Sequence, residues 1–301
     1  MKKVVFVILH YCAVDITIRA VTVLQENLKY PDYEIVLVDN ASPDDSGGIL
    51  EKKYGSAERI HLLRCSENVG FARGNNRGYV YARDRLHADF IVCMNNDVCI
   101  FQKDFAIKLV EIYCGKGFHI LGPDIVTPRG SHQNPHRNRT FTQKELVRII
   151  RNRTVILWYL RLKEVFHLEK RIQIIERWDS RRGRTERKNI CYESPQSDVV
   201  LHGSVLIFSP DFIKKEKEAF WPGTFMWMEE EILTYLCEKK GYRILYDPSL
   251  TALHEEGCST GATQKGGEKY CFYSFQLRQS AMAMRRLMDK GKEESQKCWK
   301  H

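Results

Sequence analysis

Nowhere in the 301 residues is there an apolar run of the ~20 residues that a membrane span requires. The apolar start, KKVVFVILHYC, is far too short, and polar residues follow before the h-region and cleavage site of a signal peptide are complete. Ten cysteines are scattered through the chain without one CxxC pair, which argues against zinc sites and disulfide frameworks. Several of them, Cys93, Cys99 and Cys237 among them, fall inside apolar patterns, as reduced core thiols of a cytoplasmic protein would.

What is present is the composition of a globular enzyme-sized chain, 43% hydrophobic and 28% charged, long enough for one large domain or two small ones. Val4 to Leu9 (VVFVIL) reads as a buried strand. Asp15 stands where a helix cap would, ahead of apolar residues at helical spacing. Tyr33 to Val38 gives a second strand, Ile49 to Tyr54 a short helix and Ile60 to Leu63 a third strand. The stretch ENVGFARGNNRG (Glu67 to Gly78) is expected as a loop leading into a helix, and a fourth strand begins at Phe90. Near the end, RILYDP reads as a strand and Tyr270 to Met288 as a helix, before a charged, frayed tail. Strands alternating with helices imply an α/β fold with a Rossmann-like, mostly parallel sheet flanked by helices.

The fourth strand ends in FIVCMNNDVCI: five apolar residues, then Asn95, Asn96 and Asp97. Ligands of open α/β sheets sit outside the carboxyl ends of the strands, and these three side chains offer oxygens to a hard divalent cation. A plain polar turn is the other reading of an isolated NND.

Four segments in order, strand 1, VDNAS (Val38 to Ser42), ENVGFARGNN and MNND (Met94 to Asp97), resemble the nucleotide-sugar half of family 2 glycosyltransferases. HGSVLIFS (His202 to Ser209), FMWMEEEI (Phe225 to Ile232), GYRILYDP and LHEEGCSTG (Leu253 to Gly261) match downstream. The resemblance covers about residues 3–130 and 195–280 and is nearest to the bacterial rhamnosyltransferase-like branch, which builds surface polysaccharides. It implies the GT-A fold, divided here into a nucleotide-sugar half (1–130), a basic helical insertion (131–194), an acceptor half with a C-terminal helix (195–288) and a charged tail (289–301).

The resemblance also implies roles. Asp97 would hold manganese or magnesium with His254, which matches the family's C-terminal metal histidine, and Asn95 stands where the family's Asp-x-Asp motif has its first acid. Asp39, Asn68, Gly70, Arg73, Asn75 and Asn76 would meet the nucleotide, with Gly74 allowing close backbone approach; Asn96 lies beside them, and Gly203 leaves room for the donor sugar. Glu230 would be the catalytic base, with Glu229 in reserve, because the usual second acid of the motif would fall at Ile232. Trp227 would stack on an acceptor sugar. Each of these residues has a packing explanation too, and the three acids also suit a helix N-terminus.

The expected reaction is a single inverting displacement from a dTDP-, UDP- or GDP-linked sugar to a glycan or lipid-linked glycan. A non-catalytic nucleotide or glycan binder is an alternative. A sugar nucleotidyltransferase ranks lower, since HYCAVD stands where its glycine-rich phosphate loop would be. Residues 137–188 carry 16 Lys and Arg against 6 Asp and Glu, a surplus of 10 that accounts for the whole net charge of +9. A helical insertion packed on the core and a peripheral anionic membrane surface both fit that stretch. Nucleic acid is not expected as a partner.

Overall fold

The computed structural model describes residues 1–166, 190–255 and 267–298. Residues 167–188 of the basic stretch, 256–261 of LHEEGCSTG and 299–301 of the tail lie outside the described residues.

Four strands form the parallel half of the sheet, β1 (Val4–His10), β2 (Tyr33–Asp39), β3 (Ile60–Arg64) and β4 (Phe90–Asn95), in the order β3-β2-β1-β4, with β1 and β4 buried almost throughout and β3 the exposed edge. The sheet continues through β8 (Val205–Phe208), β6 (Ile120–Val126) and β9 (Ile244–His254) to the short β5 (Val98–Cys99), while β7 (Gln196–Ser197) pairs with β9. The β4–β8 and β8–β6 pairs are antiparallel and β6–β9 is parallel, so β1 to β4, β6 and β9 all run one way. The mostly parallel sheet flanked by helices is therefore present.

Side chains alternate across each strand, and the two faces build separate cores. Phe6, Ile8, Leu37 and Phe90 pack under α1 (Val14–Asn27), α2 (Ser46–Tyr54) and α4 (Phe105–Lys116). Val5, Val7, Val36 and Ile91 pack against α3 (Gly70–Asp84), α6 (Pro210–Lys215) and α7 (Glu229–Lys240). A third core joins Leu146 of α5 (Gln143–Phe166) to Met228, Ile232 and Tyr235 of the α7 region and to Ala281 and Met284 of α8 (Gly267–Cys298).

Three local expectations are corrected. Asp15 does not cap α1: Ala13 holds the N-cap position in a left-handed conformation, and Asp15 lies in the first turn. ENVGFARGNN is not a loop throughout, because α3 starts at Gly70 and takes Arg73, Asn75 and Asn76 into its first two turns. The C-terminal helix extends beyond Tyr270 to Met288 at both ends and absorbs most of the charged tail. The insertion helix α5 begins at a capping box. Thr142 Oγ1 accepts from Glu145 N at 3.3 Å, and Glu145 Oε2 accepts from Thr142 N at 2.8 Å. Arg139 grips the same carboxylate with two nitrogens and, with the Thr142 donors, holds Glu145 down to about 2.

Candidate active site

The carboxyl ends of β1, β2 and β4 open into a cavity of about 1010 Å³. Leu9 ends the apolar run of β1 and Tyr11 follows the strand, Asn40 and Pro43 follow β2, and Asn95 closes β4 with Asn96 after it. The opposite wall is His202 to Ser204, Phe225 to Trp227, Glu229 and Glu230, and the start of α8 from Lys269 to Tyr273. Phe225, Trp227, Tyr270, Phe272 and Tyr273 make part of this wall aromatic. Trp227 meets Tyr273 edge-on at 4.9 Å and Phe272 at 5.8 Å.

Beside the end of β4, the register of β5 against β9 sets Val98 opposite His254 and so brings Asp97 to the histidine. His254 Nδ1 lies 2.7 Å from Gln133 Oε1, which places the ring proton on Nδ1 and turns the Nε2 lone pair outward. That Nε2 stands 3.2 Å from Asp97 Oδ1, an atom that is buried and makes no hydrogen bond. Two electron-pair donors facing each other in a buried place suit a shared cation. Among the described residues no group of three or more His, Cys, Asp or Glu forms a ready cage, so the chain itself offers a pair of ligands with the Asn95 amide nearby. Asn96 is committed elsewhere, donating at 3.0 Å to Thr17 Oγ1, which also bonds His10.

At the other wall, α7 begins after two consecutive residues with positive φ, Trp227 at 68° and Met228 at 69°. Side chains rarely accept that conformation, and two in a row turn the chain sharply enough to bring Glu229 and Glu230 to the cavity. Burial dominates both carboxyls. It pushes Glu229 up to about 8, with the neighbouring Glu230 charge adding to the shift and Thr224 opposing it. Glu230 is also raised by burial, so it departs from the ordinary value expected of an exposed glutamate. With its value near 8, Glu229 is mostly protonated at neutral pH, while Glu230 is the carboxyl that faces the open space at Gly203. Glu231 points away, 3.8 Å from His136 Nε2, and burial raises it most clearly. A Cβ built on Gly203 would come within 3.5 Å of Glu230 Oε2, an ordinary contact, so the glycine keeps open the space directly before the base.

Glu229 gives a prediction for stability. A carboxyl whose folded value lies above its unfolded one costs stability as pH rises between the two, here from about 4.5 to about 8. Glu229→Gln removes that cost. Its melting temperature, relative to the unaltered protein, is expected to climb between pH 5 and pH 8; a difference flat in pH would contradict the assignment.

The residues expected at the nucleotide divide into two groups. Asn68 lines the cavity, and its Oδ1 accepts from Asn40 Nδ2 and from Gly70 N, each at 3.0 Å. Asn40, which the sequence reading passed over inside VDNAS, also accepts from Val69 N at 3.1 Å and lines the same wall. Asp39 faces the turn below instead. Its Oδ1 accepts from Ser42 N at 3.0 Å and Ser42 Oγ at 2.7 Å, and Arg64 Nε lies 3.8 Å from Oδ2.

Arg73, Asn75 and Asn76 are spent on structure. Asn76 bonds both backbone groups of Phe220, giving Nδ2 to the carbonyl at 2.7 Å and taking the amide at 2.9 Å. Asn75 donates to Phe71 O within its own helix, and Arg73 donates to Pro222 O. Gly70, at φ 83°, presses against the carbonyl of Phe225, and a Cβ at Gly74 would stand 2.6 Å from Leu9 Cδ1. This part of the motif therefore fastens the two walls of the cavity together rather than lining it.

The sequence model of glycosyl transferase family 2 matches residues 5–185, well over half of the chain. The chain belongs to glycosyltransferase family 2. No curated protein matches it by sequence. Among solved structures, GalNAc-T7 crystallised with UDP, GalNAc and Mn2+ is similar at 13% identity and a TM-score of 0.55, over 85% of this chain and 44% of that one. Residues 1–349 of S. aureus TarS are similar at 14% identity and a TM-score of 0.51, over 84% of this chain and 60% of that one. The family 2 chain thus spans less than two thirds of either relative. Likeness at this identity shows the fold, which is GT-A. No helix among the described residues is long and apolar enough to cross a membrane. The eight cysteines described all carry free thiols.

Proposed function

We propose that this glycosyltransferase moves a hexose or deoxyhexose such as rhamnose from a nucleoside-diphosphate donor to a glycan or lipid-linked glycan, with inversion, in the building of a bacterial surface polysaccharide. The observation that carries the reading is one cavity with two opposed chemistries. Asn95 and Asn96 line one wall, with the Asp97–His254 pair behind it and the His254 ring 5.7 Å from the lining His202, and a half-buried glutamate with a raised pKa stands at the other.

Glu230 takes the proton from the acceptor hydroxyl as that oxygen forms its bond to the anomeric carbon. The bond from that carbon to the diphosphate breaks on the opposite face, so the configuration inverts. The reaction needs one base only, and Glu229, pushed up to about 8 by burial, is the acid beside it. Asn40 and Asn68 are placed to hold the nucleotide, and Trp227 with Tyr273 presents aromatic faces to the acceptor sugar. Asp97, His254 and the Asn95 amide are the residues that would hold manganese or magnesium. The imidazole nitrogen favours manganese. Such a cation would offset the charge of the departing diphosphate.

Thermal stabilisation by a panel of dTDP, UDP, GDP and their sugars, with and without manganese, tests the site. At a hundredfold excess over Kd the melting temperature is expected to rise by roughly 5 °C. The rise should be confined to one base and enlarged by metal, and Asp97→Ala should remove the metal-dependent part alone. No rise with any nucleotide, in folded protein, would replace this reading with that of a glycan-binding protein without transfer.

A further inference from the structure

Between Leu146 and Lys163 the insertion helix has no acidic residue. Its inner side chains, Leu146, Arg153 and Leu160, are buried, and Arg153 lies over the Tyr273 ring at 4.9 Å. The outward side is different. Val147, Arg151, Val155 and Trp158 follow one another at helical spacing, and the three apolar ones are 43%, 59% and 65% exposed. Lys144, Arg148 and Arg161 flank them, all exposed.

The adjacent helix continues this face. Arg278 of α8 donates to Thr154 of α5 at 2.7 Å, and one turn earlier on α8 Phe275 is 43% exposed. Val147, Val155, Trp158 and Phe275 make up half of the eight exposed large hydrophobic side chains among the described residues. They gather on one two-helix face ringed by arginines.

We propose that this face is a docking surface for an anionic lipid bilayer, with α5 lying in the plane of the headgroups. Tryptophan and valine enter the acyl boundary while arginines meet the phosphates, the arrangement in which an amphipathic helix lies on a membrane. Nucleic acid would satisfy the arginines and leave four aliphatic and aromatic side chains unused at a phosphate surface. A second copy of the chain would set arginine against arginine. Only the lipid surface uses both kinds of residue. The inference stands apart from the sugar-transfer reading. It would also place the aromatic wall of the cavity next to the membrane, because α5 and α8 carry both.

Co-sedimentation of the full chain with vesicles of phosphatidylcholine alone, and with added phosphatidylglycerol, tests the inference. Binding is expected to the anionic vesicles and to be at least tenfold weaker to the neutral ones. Arg148→Gln with Arg151→Gln should weaken it about 30-fold, taking each cation at its usual worth near an anionic surface. Trp158→Ala should weaken it about tenfold, with the nucleotide-induced rise in melting temperature unchanged in both variants. Absence of vesicle binding would overturn the proposal. So would binding that Trp158→Ala leaves intact, which would mean charge attraction without insertion. Tight binding of an RNA or DNA duplex in place of vesicles, or a dimer dissolved by Trp158→Ala, would assign the face to another partner. Loss of the nucleotide response with vesicle binding retained would count against the transferase reading only.

Discussion

Glu230→Gln is expected to lower the turnover of sugar transfer by about 10³-fold while leaving nucleotide affinity within about twofold. The amide keeps the shape of the carboxyl and so preserves the space before Gly203, but it has no lone pair basic enough to take the acceptor proton. The neighbouring Glu229 is a poor replacement, because burial, the larger cause of its rise, persists when the Glu230 charge is gone. Burial raises Glu230 too, and a carboxylate raised toward the working pH is a stronger base than an exposed one. In the unaltered protein the acid limb of kcat/KM should accordingly lie above the ordinary carboxylate range, with activity gained as pH rises through it. Steady-state rates over pH, together with calorimetric titration of the nucleotide, check both halves. Retained turnover, or loss of nucleotide binding with turnover, would remove Glu230 from its role.

Gly70→Ala is expected to be the most damaging small change to the frame of the site. The new methyl would meet two penalties. A left-handed backbone costs a side chain about 1–2 kcal/mol, and the Cβ would fall on the Phe225 carbonyl, which accepts from Phe71 N at 2.7 Å. Moving that carbonyl breaks the bond or shifts Phe225 and Met226, which line the cavity. A total cost of about 3 kcal/mol follows, a fall in melting temperature of roughly 6–12 °C for a chain of this size. Donor binding should fall with it. Gly115→Ala is the control, since nothing lies within 4 Å of a Cβ there, and its effect should be small. Equal melting temperatures for the two variants would show that the α3 start does not clamp the wall.

Much of this was legible before any coordinates. Val4 to Leu9, Ile35 to Val38 and Phe90 to Met94 are continuous apolar runs, and a strand buried on both faces leaves that trace. Asp97 and His254 were legible as a pair only through their family motifs. They are 157 positions apart, and it is the β5–β9 register that joins them. Asn75 and Asn76 lie in a helix and not in a loop for a physical reason. Two amides after two glycines read as a polar loop, but each finds a backbone partner that lets a helix bury it. The helix over Gln143–Phe166 carried a signal that went unused, the threonine and glutamate three apart at its start. The raised carboxyls could not be read at all, since burial comes from the whole assembly of α7, α3 and α8 around them.

One feature at the root of the insertion bears on how such chains can change. Arg137 pairs with Val200 across an antiparallel bridge, with Val200 N donating to Arg137 O at 2.8 Å. Asn134 pinches the same spot, reaching Pro123 O at 2.7 Å and accepting from His202 N at 3.0 Å. The chain thus departs and returns through a single doorway, with only the two-residue β7 reaching back to β9 from inside it. A segment attached in that way can be lengthened, shortened or exchanged without re-registering β1 to β6. The catalytic body could thereby stay constant while the attachment is recast for whichever surface or acceptor the cell presents.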